Sequence, residues 1–364
     1  MVDAGNGRGD AAACLSDEAG LRPEESLAFT PHAWRRIVGH YARPDSRRGI
    51  VQLLSTFIPL LALLALTACA VDRGIWLGLV LSVPVAGLLV RLFMIQHDCG
   101  HGAFFTRRWA NDSLGRLIGT LTLTPYAFWR RRHAMHHATA GNLDRRGVGD
   151  ITTLTRRDYV ATSSWRRALY RVYRHPLVMF GIGPIYMFWI RHRIPTGNPR
   201  REWRSWVSVL GTNIAIAAVT VSLLEAGLGA LLLAYVPALL MAGAIGVWLF
   251  YVQHQFEHTY WESSADWDFH SAALAGCSFY DLPRPLQWLT CDIGLHHIHH
   301  LSSRIPNYRL RDCFEENPML QRVKRLGLRE SLRCARLAIW DEDSRRLVAF
   351  RDVWRGRASA AASR

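Results

Sequence analysis

The sequence predicts an all-α integral membrane protein: four transmembrane helices arranged as two hairpins, with interfacial helices and a cytoplasmic helical cap carrying histidine clusters. Three observations predict it. Half of the 364 residues are hydrophobic, which is too apolar for an ordinary soluble enzyme of that length. The apolar residues gather into four runs long enough to cross a hydrocarbon core of about 30 Å, which takes about 20 residues. Eleven of the sixteen histidines fall into four tight clusters at helical spacing.

The segments follow in order. Residues 1 to about 28 are rich in Gly, Asp and Ala with no apolar stretch, so they read as a disordered tail rather than a signal peptide or a core element. Residues 29–320 read as one membrane domain. Its first hairpin pairs spans at 53–71 and 74–95, joined through Asp72 and Arg73; its second pairs 206–224 and 228–253, with Glu225 in the turn. Two shorter apolar stretches, 114–129 and 176–190, are interrupted by Pro125, Gly181, Gly183 and Pro184. Their length suits interfacial or re-entrant helices better than spans. Residues 259–364 read as a cap, with a proline-marked turn from Asp281 to Pro285 and helical stretches in a C-terminal cytoplasmic extension, 321–364. Trp129, Trp189, Trp203, Trp206 and Trp261 sit near run ends, where an aromatic belt is one reading and ordinary packing the other.

The net charge of +15 raises nucleic acid as a partner. The arginines argue against it. They fill the segments between and after the hairpins, while the hairpin turns are nearly free of them. By the positive-inside rule, both termini and all four clusters then face the cytoplasm. Arg91, near the end of the second run, is placed to snorkel to that interface. Seven cysteines without a CxxC or paired spacing suit reduced thiols.

The clusters are HDCGH (97–101), HAMHH (133–137), HQFEH (254–258) and HHIHH (296–300). Residues three and four apart share a helix face, so His97 with His101, and His133 with His136 and His137, can each point at a common centre. A core gains nothing from stacking imidazoles that repel when protonated. Metal binding explains the pattern, and nine or more imidazoles exceed what one ion uses, so at least two ions are implied. Ligand softness alone leaves zinc, copper, nickel and iron open. Carboxylates that could orient the rings lie nearby in sequence: Asp98, Asp144, Asp150, Glu257 and Asp292. Asn142 is a candidate to hold a metal-bound water. The string from His254 to His258 also fits the H-x-x-E-H pattern of inverted zinc peptidases, which would leave the other three clusters without purpose.

The strings QHDCGHGAFF, WRRRHAMHHATAGNLDRRGVGDITTLT, FYVQHQFEHTYW and DIGLHHIHHLSSRIPNYRL resemble the histidine boxes of the membrane fatty-acid desaturases, in particular bacterial members akin to the omega-type, delta-12-like enzymes. The resemblance runs from about residue 50 to 315. It implies a four-helix membrane fold with a cytoplasmic active site, in a bacterial inner membrane. It implies a di-iron centre that uses O2 to place a cis double bond in a fatty-acyl lipid or thioester. By resemblance the ligands are His97 and His101, His133, His136 and His137, His254, and His296, His299 and His300. His258 and His297 are extra to that set; each could still ligate.

Each turnover of such an enzyme needs two external electrons. The chain has no HPGG haem string, no iron–sulfur cysteine pattern and no dinucleotide fingerprint. A separate donor of ferredoxin or cytochrome b5 type is therefore expected, and Arg130 to Arg132 could attract it or an anionic head group. A hydroxylase or ketolase on the same centre is the nearest rival. A metal transporter is a further one, although the spans carry no acid between their ends, as a midplane site would need.

Overall fold

The structure, a computed structural model, describes residues 31–147 and 149–354. The expected N-terminal tail at 1–28 lies outside the described residues. Four helical segments are long and apolar enough to cross a membrane: Ser46–Asp72, Trp76–His101, Trp203–Glu225 and Gly229–His254. They form the two expected hairpins, and each helix runs beyond its apolar run.

Helix α1 (Pro31–Tyr41) precedes the first hairpin. Helix α2 (Ser46–Asp72) starts where Asp45 accepts hydrogen bonds from the backbone N–H groups of Arg47 and Arg48, satisfying donors that have no partner within the helix. Gly74, with φ of 72°, turns the chain. A 3-10 turn over Trp76–Leu81 then leads into α3 (Ser82–His101). The second hairpin is α8 (Trp203–Glu225) and α9 (Gly229–His254). Between the hairpins lie α4 (Arg108–Leu121), α5 (Tyr126–Thr139), α6 (Arg156–Ala161) and α7 (Ser164–Tyr173). Short π and α turns then occupy the second interrupted apolar stretch, at 178–190.

Helix α3 is the centre of the bundle. Val85, Leu88, Leu89, Leu92 and Ile95 pack against Leu60 and Leu64 of α2, Ile118 of α4 and Ala238 and Leu239 of α9. Lipid tails are as apolar as leucine, so close packing rather than transfer from water holds such a helix in place. Gly87 illustrates the closeness, since a Cβ there would stand 3.0 Å from Leu289 Cδ1. Gln96 on α3 is satisfied internally, as a bilayer demands: it accepts from Thr122 Oγ1 at 2.9 Å and donates to the Thr124 carbonyl at 3.3 Å.

The cap comprises α10 (Phe269–Ala275), α11 (Arg284–Leu289), α12 (His296–Leu301), α13 (Asn307–Glu316) and α14 (Leu328–Cys334). Its core joins Trp34 and Val38 of α1 to Leu295, Ile298, Leu310 and Phe314. The cap is not purely helical. Strand β1 (Leu154–Thr155) pairs in parallel with β4 (Leu337–Asp341), which pairs antiparallel with β5 (Arg346–Ala349). Strand β2 (Phe279–Asp281) pairs in parallel with β3 (Arg325–Gly327). Where helices were expected toward the C-terminus, two short strands lie against partners far back in the chain.

Arg91 also departs from expectation. Instead of snorkelling outward it is 6% exposed, donating to Thr56 Oγ1 at 3.1 Å and to the Trp288 carbonyl, with its guanidinium 4.0 Å over the Trp288 ring. The cap helix α11 reaches down to meet it. Of the tryptophans read as a belt, Trp189 and Trp203 are exposed, whereas Trp261 is buried against Trp340 and Leu347.

Candidate metal centre

Four elements bring the histidines together. The last turns of α3 carry His97 and His101 one turn apart, and Gly102 then reverses the chain with φ of 67°, a conformation glycine adopts without a Cβ penalty. Helix α5 presents His133, His136 and His137. The final residue of α9 is His254. Four of the six residues of α12 are histidine, and the helix follows Cys291 and Asp292, both with φ of 54°, a backbone conformation that costs an L residue about 1–2 kcal/mol.

The nine histidines sort into two groups. One ring nitrogen each from His97, His101, His133, His137 and His299, and one each from His136, His254, His296 and His300, lie within 4.8 Å of one another inside their group. Successive residues on a helix point about 100° apart. Hence His137 turns to the first group and His136 to the second, and on α12 His299 turns to the first while His296 and His300, one turn apart, turn to the second.

Within the first group the Nε2 atoms of His97 and His133 are 3.0 Å apart, those of His133 and His137 3.1 Å, and those of His137 and His299 3.0 Å. In the second, His254 Nε2 lies 3.1 Å from that of His136 and 3.0 Å from that of His296. Two nitrogens each about 2.1 Å from one ion lie about 3.0 Å apart at right angles and about 3.4 Å apart at the tetrahedral angle. The observed spacing is short enough for neighbouring nitrogens to share one ion. The Nε2 atoms of His101 and His300 are buried with no hydrogen-bond partner among the described residues, a costly state unless a metal takes the lone pair. The donor set therefore fits two metal ions.

Electrostatics prepares the rings for that role. Burial, reinforced by neighbouring imidazoles, holds the pKa values of His133, His137, His296, His299 and His300 well below the ordinary histidine value. Near pH 7 these rings are neutral, as metal ligation requires.

Two of the candidate carboxylates meet the rings. Asp150 accepts from His136 Nδ1. Asp98 accepts from His97 Nδ1 at 3.2 Å, and its other oxygen takes the backbone N–H of Asn307 at 2.6 Å and the Asn307 side-chain amide at 2.8 Å. His254 Nδ1 faces the Gly276 carbonyl at 3.4 Å. The remaining candidates lie elsewhere. Asp144 accepts from the Ser264 N–H at 2.7 Å, and Asn142 Oδ1 is occupied by the N–H groups of Asp144 and Arg145 and the Ser264 hydroxyl, so both serve a loop contact. Asp292 pairs with Arg311. The polar contacts of these three run to neighbouring loop and helix groups.

The two extra histidines stay outside both groups. His258 is exposed beside an exposed Glu257 that pairs with Arg346 at 3.1 Å. The H-x-x-E-H string therefore assembles no peptidase site. His297 is buried on the far side of α12, where Nε2 donates to the Leu320 carbonyl at 3.0 Å. Burial pushes its pKa down to about 3.

Sequence reasoning missed two residues that shape the site. Trp129 stacks on His133 with centroids 4.6 Å apart and planes 16° from parallel; its place one helical turn before the second cluster was the available signal. Asn307, in the RIPNYRL flank, holds Asp98; nothing local marked it. Of the three arginines before the second cluster, Arg130 pairs with Asp112 at 3.0 Å and Arg131 with Glu202 at 3.5 Å, which leaves less free charge for a partner than composition suggested.

Comparison with protein families matches residues 74–327 to a family described as fatty acid desaturase. A Bacillus subtilis protein named fatty acid desaturase is 43% identical over 331 residues, spanning 91% of this chain and 94% of its own length. A Synechocystis sn-1 acyl-lipid omega-3 desaturase (ferredoxin) is 32% identical over 240 residues, 62% of each chain. A Synechocystis sn-1 oleoyl-lipid 12-desaturase is 27% identical over 252 residues, covering 67% of this chain and 66% of its own.

Proposed function

The chain belongs to the fatty acid desaturase family, and from that premise we propose that the nine histidines bind two iron ions and that the enzyme uses O2 to desaturate the acyl chain of a membrane lipid. That it is an oxidoreductase of the desaturase type follows from the family. The observation that carries the finer reading is the pair of abutting nitrogen groups, five and four strong, each spaced about a common centre.

A bound iron pair supplies the dioxygen activation that removal of hydrogen from an unactivated acyl carbon requires. The chain's own residues do the rest. Asp98 and Asp150 fix which nitrogen of His97 and of His136 carries the proton, so that the other faces the group centre. Reduction of O2 to two waters takes four electrons and the acyl chain yields two, so an external carrier must deliver the other two. The cyanobacterial relative named for ferredoxin supports a carrier of that type, with cytochrome b5 as the alternative. Arginine in the segments between the hairpins favours a cytoplasmic face for the site.

The test is expression in a host of known fatty-acid profile, with iron measured in the purified protein and any new double bond located by mass spectrometry. About two irons per chain and a new olefin are expected. A hydroxyl or keto product would overturn the reaction while leaving the iron site intact.

A further inference from the structure

Away from the histidines, a cleft of about 620 Å³ opens between α2, α3 and the cap helices α11 and α13. Small-molecule sites occupy about 300–1,000 Å³. The lining follows α2 from Asp45 to Ser55, a descent of about 15 Å at the helical rise per residue.

Its chemistry is cationic. Arg47 and Arg48 stand at the exposed end and Arg91 at the buried end. Arg48 is paired with Asp312 at 3.2 Å, but among the described residues neither Arg47 nor Arg91 has a carboxylate partner. The neighbours of Arg91 are a hydroxyl, a carbonyl, a thiol and an indole, all neutral. A buried cation without a counter-ion is costly, and an anion in the cleft would offset that cost. The acids on the rim are engaged elsewhere: Asp45 caps α2 and Asp292 pairs with Arg311.

A second, independent observation lies in the lining of the same cleft. Gln52 is 7% exposed and lines the cleft. Its amide nitrogen donates to Cys291 Sγ at 3.0 Å, while its Oε1 is buried with no partner among the described residues. A ligand bearing a hydroxyl or N–H donor next to its anion would satisfy both groups.

The surroundings choose between a soluble anion and a lipid. Val51 in the lining and Ile50, Leu54 and Ile58 beside it leave the outer face of α2 exposed and apolar, and Trp288 is partly exposed at the cleft, as tryptophans at a membrane interface are. We propose that this cleft seats the phosphate head group of a membrane phospholipid. Arg47 and Arg91 are its cationic partners, Gln52 Oε1 accepts from a glycerol or head-group donor, and the acyl chains lie along α2. The seat does not depend on the reaction assigned above.

Purified full-length protein is incubated with micelles holding equal amounts of phosphatidylglycerol and of an uncharged diglucosyl diacylglycerol with the same acyl chains, and lipids retained after chromatography are quantified by mass spectrometry. The phosphate-bearing lipid should be enriched several-fold, and Arg47→Glu with Arg48→Glu should abolish the enrichment. Gln52→Leu, which removes the acceptor without changing charge, should weaken it. Iron content and elution position report on folding in each variant. No enrichment in wild-type protein, or enrichment unchanged by both variants, would overturn the proposal. Absent enrichment in a preparation that still desaturates would sink the seat and leave the enzyme reading standing.

Discussion

The rings of His137 and His300 stack with centroids 4.1 Å apart and planes 16° from parallel, and this contact is the seam between the two nitrogen groups. Each ring belongs to a different group. Because neighbouring residues on α5 and on α12 send their rings to opposite groups, a shift of either helix displaces both groups together. The centre is one mechanical unit with two binding positions.

The register of α12 is tested by a pair of variants. His299 lies in the first group, whereas His297 faces the Leu320 carbonyl. His299→Ala should abolish activity and remove metal, read by elemental analysis of the purified protein. His297→Ala should keep both metals and most activity, while its buried carbonyl partner, left unsatisfied, costs about 1–3 kcal/mol of stability. Equal metal loss from the two variants would show the register to be wrong.

Asp150 and Asp292 provide a matched contrast between two acids close in sequence to clusters. Only Asp150 touches a clustered ring, that of His136, whereas Asp292 is held by Arg311. Loss of such an orienting carboxylate weakens metal binding by about 10–100-fold. Asp150→Asn should show that loss against a competing chelator, confined to one of two ions. Asp292→Asn should leave the affinity of both unchanged.

The pH dependence of the metal-free protein follows from its neutral buried imidazoles. His296, His297, His299 and His300 all have depressed pKa values, with burial the leading cause and His297 brought to about 3. Below the ordinary value near 6.5 the unfolded chain binds protons that the folded one does not, so stability falls with acidification, by about 1.4 kcal/mol per pH unit for each such ring. Above that value these rings contribute no slope. Denaturant unfolding of apo protein across pH 5–8 should show a plateau on the alkaline side and a decline on the acid side. A gain in stability on acidification would contradict the neutral assignment.

What the sequence made legible was whatever is local. Four apolar runs gave the spans, and helical spacing gave the clusters. The spans run past their apolar stretches, α3 to His101 rather than residue 95, because the polar first cluster continues the same helix. The strands of the cap were hidden because Leu154 pairs with Ile339 and Phe279 with Arg325, and two to five residues carry no usable period against partners so remote. The five-and-four division depends on how α5 and α12 face each other, which no single helix records. Asp144 was read as near the rings because it is near in sequence, yet its loop turns it toward Ser264.

Glycine 100, inside the first cluster, offers the most local test of how packing supports the centre. A Cβ there would stand 2.8 Å from Trp129 Cζ3, and Trp129 is the plate on which His133 lies. Helix α3 is fixed by packing on several sides, so the indole rather than the helix must give way, at an overpacking cost of about 1–3 kcal/mol. Tilting the indole removes the stacking surface from His133 and also its contact with His97, whose centroid is 5.7 Å away. Gly100→Ala should therefore loosen the five-nitrogen group more than the four-nitrogen group, although no ligand is changed. Metal titration should show one ion bound as in wild type and one bound more weakly. A second substitution, Trp129→Phe, gives a smaller ring room beside the new methyl and should restore part of the lost affinity. If the double variant binds no better than Gly100→Ala alone, the packing account of this glycine fails.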